Sequence, residues 1–357
     1  MPKVSVLIPT YNCALYIGQA IQSVLDQTFK DFEIIISDNA STDNTEEIVK
    51  KFKDSRIRYY KNQENIDYTR NVYRLIHELA TGEYCIILCA DDYWVGKELL
   101  TEQVDILDNN ANIGFVWSDV KVLDETQKTI YVKINPSYIH RQNKQLTTIN
   151  GNDFLFRFYK GAGPRLSSCL FRRELAIRTN AYKEDSALIF CPDLVLWWEL
   201  SLLSDGCIIN MPLVVYRWGG HNLTHSIPLA TRFNEEIKSL SLIENFVKIR
   251  GLSLNLKKWR KRHTRLQLIE NLRRVFWVRL NTKIDYSLFL KQLIKFTWDV
   301  DKITFLHPSY LFRLIGLLLP LSFCRKFVQI TKRLRGYKTD NGEGFNAKGV
   351  YCNTNKK

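Results

Sequence analysis

No two of the eight cysteines form a Cys-x-x-Cys pair, and no His/Cys group has the spacing of a zinc site. A zinc module and a disulfide framework are therefore excluded as organising principles. The thiols read as reduced, small hydrophobes, and the sequons at Asn39 and Asn222 as chance. No GxGxxG follows the first apolar run and no GxxxxGKS/T occurs, which disfavours a dinucleotide fold or a P-loop. No apolar run reaches the roughly 20 residues of a spanning helix. LIGLLLPLSFC at 314–324 has 11 residues and contains Pro320. The N-terminus offers one lysine and then VSVLIP, too short for a signal-peptide core, so a cytosolic protein is expected. Internal repeats are missing as well.

Acidic residues are scarce in the C-terminal third. Residues 231–340 hold 8 Asp and Glu against 24 Lys and Arg, whereas residues 1–230 hold 28 against 24. The net charge of +14 thus belongs to the C-terminal side of a nearly neutral body. Such asymmetry points to an anionic partner, a membrane surface or a nucleic acid.

The body itself alternates strand and helix. VSVLI at 4–8, FEIIIS at 32–37, IRYYK at 57–61 and Tyr84–Cys89 read as strands. Between them, Gly18–Gln27, a helix through Lys51 capped by Ser41 or Thr42, and Asn71–Leu79 read as helices. That order predicts an α/β domain with a mostly parallel sheet flanked by helices, a Rossmann-like arrangement. Further strands are expected over 115–134, at SSCLF and at 208–218, with an amphipathic helix over 195–203. Helices are expected from 233 onward, one with Phe233, Ile237, Leu240, Ile243 and Val247 on a face, another with Leu266, Ile269, Leu272, Val275 and Phe276. Domains are placed at 1–230 and 231–339, with a disordered tail over 340–357. The 314–324 segment, flanked by Arg313, Arg325, Lys326, Lys332, Arg333 and Arg335, fits a helix in a membrane interface or an ordinary core helix with a solvated basic flank.

In such sheets ligands gather at the carboxyl ends of strands. Three ends carry polar groups: Thr10-Tyr11-Asn12, Asp38, and Asp91-Asp92. Two adjacent carboxylates repel each other when ionised, and a divalent cation relieves the repulsion. Hard oxygen ligands suit Mg²⁺ or Mn²⁺, and Mg²⁺ commonly joins protein carboxylates to substrate phosphates. The pair therefore reads either as a metal-diphosphate site or as a solvated Asp-rich turn.

PTYN at 9–12, SDNASTDNT at 37–45, TRN at 69–71, TGEYCIILCADDYW at 81–94 and PDLVLWWEL at 192–200 together resemble the ordered motifs of family 2 glycosyltransferases, over roughly residues 3–225. The SDNAS variant is similar to enzymes of O-antigen or capsule assembly. The resemblance implies a GT-A fold carrying a basic helical C-terminal extension, a nucleotide-sugar donor (a UDP-sugar favoured) and Mg²⁺ or Mn²⁺. It implies that Pro9, Thr10 and Tyr11 line the nucleotide pocket, that Asp38 accepts from the base, and that Arg70 lies near the nucleotide. Asp91 and Asp92 would hold the metal with His221 near the diphosphate, Asp193 would be the catalytic base, and Trp197 would form an acceptor wall. Three departures stand out: Cys89 where the family often has the first Asp of Asp-x-Asp, Pro192 where it has Glu, and Asn65-Ile66-Asp67 for an Asn-x-Gly step.

The chemistry stands without the family. One base and no neighbouring nucleophile imply direct displacement with inversion. As a purely local feature, Asp193 is equally a helix N-cap. The expected acceptor is a lipid-linked saccharide or oligosaccharide at the inner face of the membrane, held near by an anionic surface, with no nucleic acid. The competing readings are a nucleic-acid binder, prompted by WRKRHTRLQLIENLRR at 259–274, and an inactive scaffold, prompted by Cys89 and Pro192.

Overall fold

The structure, a computed structural model, describes residues 1–125, 128–133, 146–157, 163–183, 188–189, 191–219, 227–281, 287–300, 311 and 314. His221, residues 315–324 and the tail from 340 lie outside the described residues.

Every residue of β1 (Val4–Thr10) is buried. A strand buried on both faces belongs at the middle of a sheet with helices on each side. β1 pairs in parallel with β2 (Phe32–Asp38), which pairs in parallel with β3 (Ile57–Lys61); β4 (Tyr84–Ile87) is parallel to β1 on its other flank. The crossovers are α1 (Ile17–Leu25), α2 (Thr45–Lys50) and α3 (Tyr68–Arg74). Ile17, Ala20, Ile21 and Val24 bury one face of α1, each large aliphatic side chain contributing about 1.5–3 kcal/mol.

The other half of the sheet is mixed. It comprises β5 (Tyr93–Trp94), β6 (Ile113–Asp124), β7 (Thr129–Lys133), β8 (Leu146–Ile149), β9 (Cys169–Arg172) and β10 (Asp205–Trp218). The order across the sheet is β3-β2-β1-β4-β9-β6-β10-β5, with β7 on β6 and β8 on β10. By paired length the sheet is mostly parallel, as expected, because β6 and β10 run parallel over most of their length. Their register slips around Pro212, which has no N–H for the ladder. α4 (Leu99–Asn109), α5 (Gly151–Arg157), α6 (Arg173–Ala176) and α7 (Pro192–Leu203) cover this half.

Three local expectations are corrected. α2 begins at Thr45, whose N–H is accepted by Asp43 Oδ1 at 3.0 Å, so neither Ser41 nor Thr42 caps it. The helix expected from Asn71 starts at Tyr68, where Asp67 accepts the Arg70 N–H at 2.8 Å, and it ends in a π-helical turn over Leu75–Leu79. α7 is buried on nearly every side, Glu199 included, and is not amphipathic.

The chain divides into two compact units, Met1–His225 with Asn245–Leu252, and Ser226–Glu244 with Ser253–Lys357. In the second unit Phe233, Leu268, Leu272, Val275, Phe289 and Leu293 form a core. Of the expected face of the helix Leu256–Asn281, Leu272 and Val275 are buried in that core and Ile269 packs against it, while Leu266 is half-buried and Gln267, Leu268 and Asn271 are buried as well. Fully buried Glu236 accepts from Asn271 Nδ2 at 2.8 Å and Arg274 Nη1 at 2.9 Å. No helix among the described residues is long and apolar enough to cross a membrane.

Candidate functional site

The register of β1 and β2 sets Thr10 beside Asp38. Asp38 is fully buried; Oδ1 accepts the Ser41 N–H at 2.8 Å and Oδ2 the Tyr59 O–H at 2.5 Å. Burial and that bond to Asp38 push the Tyr59 hydroxyl well above its ordinary value. The loops after β1 and β2 are stitched together. Asn12, with φ 52, occupies a left-handed backbone conformation that Asn tolerates. Its N–H donates to Ser41 Oγ at 2.9 Å and its Oδ1 accepts the Thr42 N–H at 2.8 Å. The Cys13 N–H donates to Thr45 Oγ1 at 3.0 Å and the Ala14 N–H to Asp43 Oδ2 at 3.0 Å. Burial opposes the Asp43 charge, but hydrogen bonds from Thr45 and Ala14 hold its carboxyl below the usual range. This is why the motifs at 9–12 and 37–45 occur together.

Sequence reasoning missed the lattice behind that edge. Asn39 Nδ2 donates to Asn65 Oδ1 at 2.8 Å, Asn62 Nδ2 to Asn39 Oδ1 at 2.9 Å, and Ser37 Oγ to Asn71 Oδ1 at 2.6 Å. The signal was present in the density of Asn around two strand ends. Of the residues assigned to the nucleotide, Pro9 and Thr10 are buried and Tyr11 is 48% exposed. Arg70 projects from α3 at the surface, 3.8 Å from Asp67.

Past β4 the chain makes a turn, with the Asp92 N–H donating to Cys89 O at 2.9 Å. Asp92 is 2% exposed; Oδ2 accepts Ser167 Oγ–H at 2.5 Å and Oδ1 the Arg217 N–H at 2.9 Å. The Cys89 N–H donates to the same Ser167 hydroxyl at 3.1 Å. Burial, then the charge of Asp91, push the Asp92 carboxyl well above the usual range against the bonds from Ser167 and Arg217. Burial raises Asp91 too. The Cys89 sulfur and carboxylate oxygens of Asp91 and Asp92 lie within 4.8 Å of one another, a donor set that fits a divalent cation.

The pair is not without arginines, as its neighbours in sequence suggest. Arg217, from β10, lies 5.0 Å from the ring centres of Tyr16 and Tyr93 and reaches Glu125 at 3.3 Å. Arg165 lies 4.7 Å over Tyr216, whose hydroxyl is raised by burial and by Asp92, Asp91 and Cys89 against the pull of Arg165. These groups come from more than 70 residues away, a distance across which no local pattern reports.

Asp193 stands in the first turn of α7, directly after Pro192, half-buried. Burial, then Asp92 and Asp91, raise the Cys89 thiol, with a smaller contribution from Asp193. Asp193 also bears on the hydroxyls of half-buried Tyr68 and fully buried Tyr182. Tyr182, with φ 63, and Tyr68 meet edge to face at 6.3 Å. Trp197 is a correction. It is 3% exposed and packs against Phe115 at 6.3 Å and Phe171 at 6.1 Å, a core position rather than an acceptor wall. Its neighbour Trp198 is fully buried as well. His221 lies outside the described residues.

The fold and the polar groups at its carboxyl edge define a GT-A-type α/β protein. S. aureus TarS 1-349 in complex with UDP has the same fold, with a TM-score of 0.60 at 16% identity over 99% of this chain and 98% of that one. Residues 5–163 match the profile of "Glycosyl transferase family 2". The chain is 29% identical over 202 residues to GalNAc(5)-diNAcBac-PP-undecaprenol beta-1,3-glucosyltransferase of Campylobacter jejuni, covering 53% of this chain and 62% of that protein. It is 43% identical over 101 residues to UDP-Glc:alpha-D-GlcNAc-diphosphoundecaprenol beta-1,3-glucosyltransferase WfaP of Escherichia coli, covering 28% of this chain and 39% of that protein. The chain thus spans less than two thirds of the length of either relative.

Proposed function

We propose that the protein is an inverting, metal-dependent glycosyltransferase that moves a sugar from a nucleotide donor, a UDP-sugar favoured, to a lipid-linked saccharide in cell-surface polysaccharide synthesis. The observation that carries this reading is the convergence of the Cys89 sulfur and the Asp91 and Asp92 carboxylates within 4.8 Å of one another past β4, in a chain whose residues 5–163 match the glycosyl transferase family 2 profile. The two relatives named above, one a UDP-Glc enzyme and both described by undecaprenol-linked acceptors, support the donor and acceptor classes.

Each group has one task. The loop edge at Pro9, Thr10, Tyr11 and Asp38 receives the nucleotide, with Arg70 at its rim. Asp38, already accepting from Ser41 and Tyr59, keeps further lone pairs for a base N–H. Asp91 and Asp92 hold Mg²⁺ or Mn²⁺, which when bound supplies charge stabilisation at the leaving diphosphate. Ser167 and the Arg217 N–H orient Asp92. Asp193 takes the proton from the acceptor hydroxyl, a contribution of about 10²–10⁴-fold. Asp193 stands in the first turn of α7 and does not cap it, the N-cap residue being Cys191.

The second unit supplies the membrane reading. Lys257, Lys258 and Lys261 are exposed on the helix Leu256–Asn281, and such groups draw a protein to anionic lipid, placing it as a peripheral protein on the inner membrane face. Salt-sensitive binding to anionic vesicles with none to DNA is expected; the reverse would favour the nucleic-acid reading. A thermal-shift screen of UDP-, GDP-, dTDP- and CDP-sugars with and without Mn²⁺ identifies the donor. Stabilisation by no nucleotide sugar under either condition would reject the transferase reading.

A further inference from the structure

We propose that Cys89 is itself a ligand of the cation held by Asp91 and Asp92, and that its sulfur biases the site toward thiophilic divalent ions such as Co²⁺, Zn²⁺ and Cd²⁺ over Mg²⁺. The inference rests on the metal reading above and deepens it. Two ligands of one ion can stand no farther apart than the sum of their bond lengths, about 4.5 Å for sulfur at about 2.3 Å and oxygen at about 2.2 Å. The Cys89 sulfur and the Asp91 and Asp92 oxygens already lie within 4.8 Å of one another. Small side-chain rotations bring all three onto one ion.

The donor set decides which ion. Mg²⁺ demands near-octahedral oxygen and gives up water reluctantly, so a thiolate adds nothing to its binding. Softer ions gain from sulfur, and their general affinity order reinforces the bias. Coordination exchanges the S–H proton for the ion, the proton leaving to solvent. The supporting hydrogen bonds fit a built ligand. One hydroxyl, Ser167 Oγ, accepts the Cys89 N–H at 3.1 Å and donates to Asp92 Oδ2 at 2.5 Å, fixing the sulfur-bearing residue and an oxygen ligand against each other. On this reading the departure from Asp-x-Asp changes the metal and keeps the site. Among the described residues, Cys13 is the rival thiol on the site's edge: Asp91 bears on it, while its sulfur donates to Tyr11 O at 3.4 Å.

The test titrates the full chain with Co²⁺ alone, under a non-thiol reductant, and reads absorption. The expected result is a saturable near-ultraviolet thiolate-to-cobalt band, lost in Cys89→Ser and kept in Cys13→Ser, with Co²⁺ affinity falling about tenfold or more in Cys89→Ser. Cys89→Asp should lose the band and gain Mg²⁺ binding. In the unaltered protein, Cd²⁺ should shield the Cys89 peptide from alkylation where Mg²⁺ does not; this arm decides the matter should Cys89→Ser unfold. A band that survives Cys89→Ser, or cobalt uptake showing only oxygen-type visible bands, overturns the cysteine ligand and leaves the metal site standing. Absence of any cobalt uptake overturns both.

Discussion

The two halves of the candidate site are built on opposite plans. After β1 and β2, amides, hydroxyls and Asn side chains form a network of neutral hydrogen bonds, and the buried Asp38 is answered by a backbone N–H and a tyrosine hydroxyl. After β4, the carboxylates of Asp91, Asp92 and Glu125 meet the charges of Arg217 and Arg165, and burial drives Asp91 and Asp92 toward the neutral form. The first half fixes a shape. The second concentrates buried acids, the donor set at which a cation is proposed. A nucleotide needs both, a rigid cradle for its base and a positive centre for its phosphates.

If that division holds, substitutions on the two halves should fail differently. The largest effect is expected at Asp193→Asn, which should lower transfer by about 10²–10⁴-fold while leaving donor binding intact, as calorimetry on the same preparation would record. Near-normal turnover would remove Asp193 from the chemistry. Next in size, Ser167→Ala withdraws the hydroxyl that orients Asp92, and cation affinity should drop by about 10–100-fold with little change in metal-free nucleotide binding. Tyr59→Phe is the converse. It strips one bond from Asp38 and should lower stability by about 1–3 kcal/mol in urea unfolding, leaving cation affinity in place.

The smallest effect concerns α7, which carries Asp193. Glu199 is fully buried there, accepting from the Asn180 backbone N–H and from Asn180 Nδ2 at 3.2 Å. Burial pushes its carboxyl from the ordinary 4.5 up to about 7. A group raised in the folded state binds more protons there than when unfolded, so its contribution is full below 4.5 and is lost as pH rises to about 7. Melting temperature should therefore fall over that interval, and Glu199→Gln should flatten the fall. An unchanged slope would mean that another group governs it.

The first half of the fold was legible because β1, β2 and β4 are apolar runs that no surface segment could carry, and Thr10, Asp38 and Asp91 stand at or just past their carboxyl ends. What stayed hidden was whatever arrives from far along the chain. Ser167, Arg165 and Arg217 complete the acid site from strands and loops whose own patterns report only burial. The expected helical face over 195–203 failed for a related reason: periodicity marks a boundary with water, and α7 has almost none. The tryptophans there looked like sugar platforms because aromatic rings serve cores and carbohydrates alike. In the second unit the buried Glu236, with Asn271 and Arg274 donating to it, was hidden as well, because hydrophobic spacing reports no polar partner.

The central claim is that the acids after β4 hold an ion that the donor's phosphates share. Calorimetric titration of a UDP-sugar into the unaltered protein and into Asp91→Asn, each with and without Mn²⁺, tests it most directly. Mn²⁺ should tighten binding about tenfold or more in the unaltered protein and do nothing for Asp91→Asn. Equal affinity in all four titrations would contradict the claim.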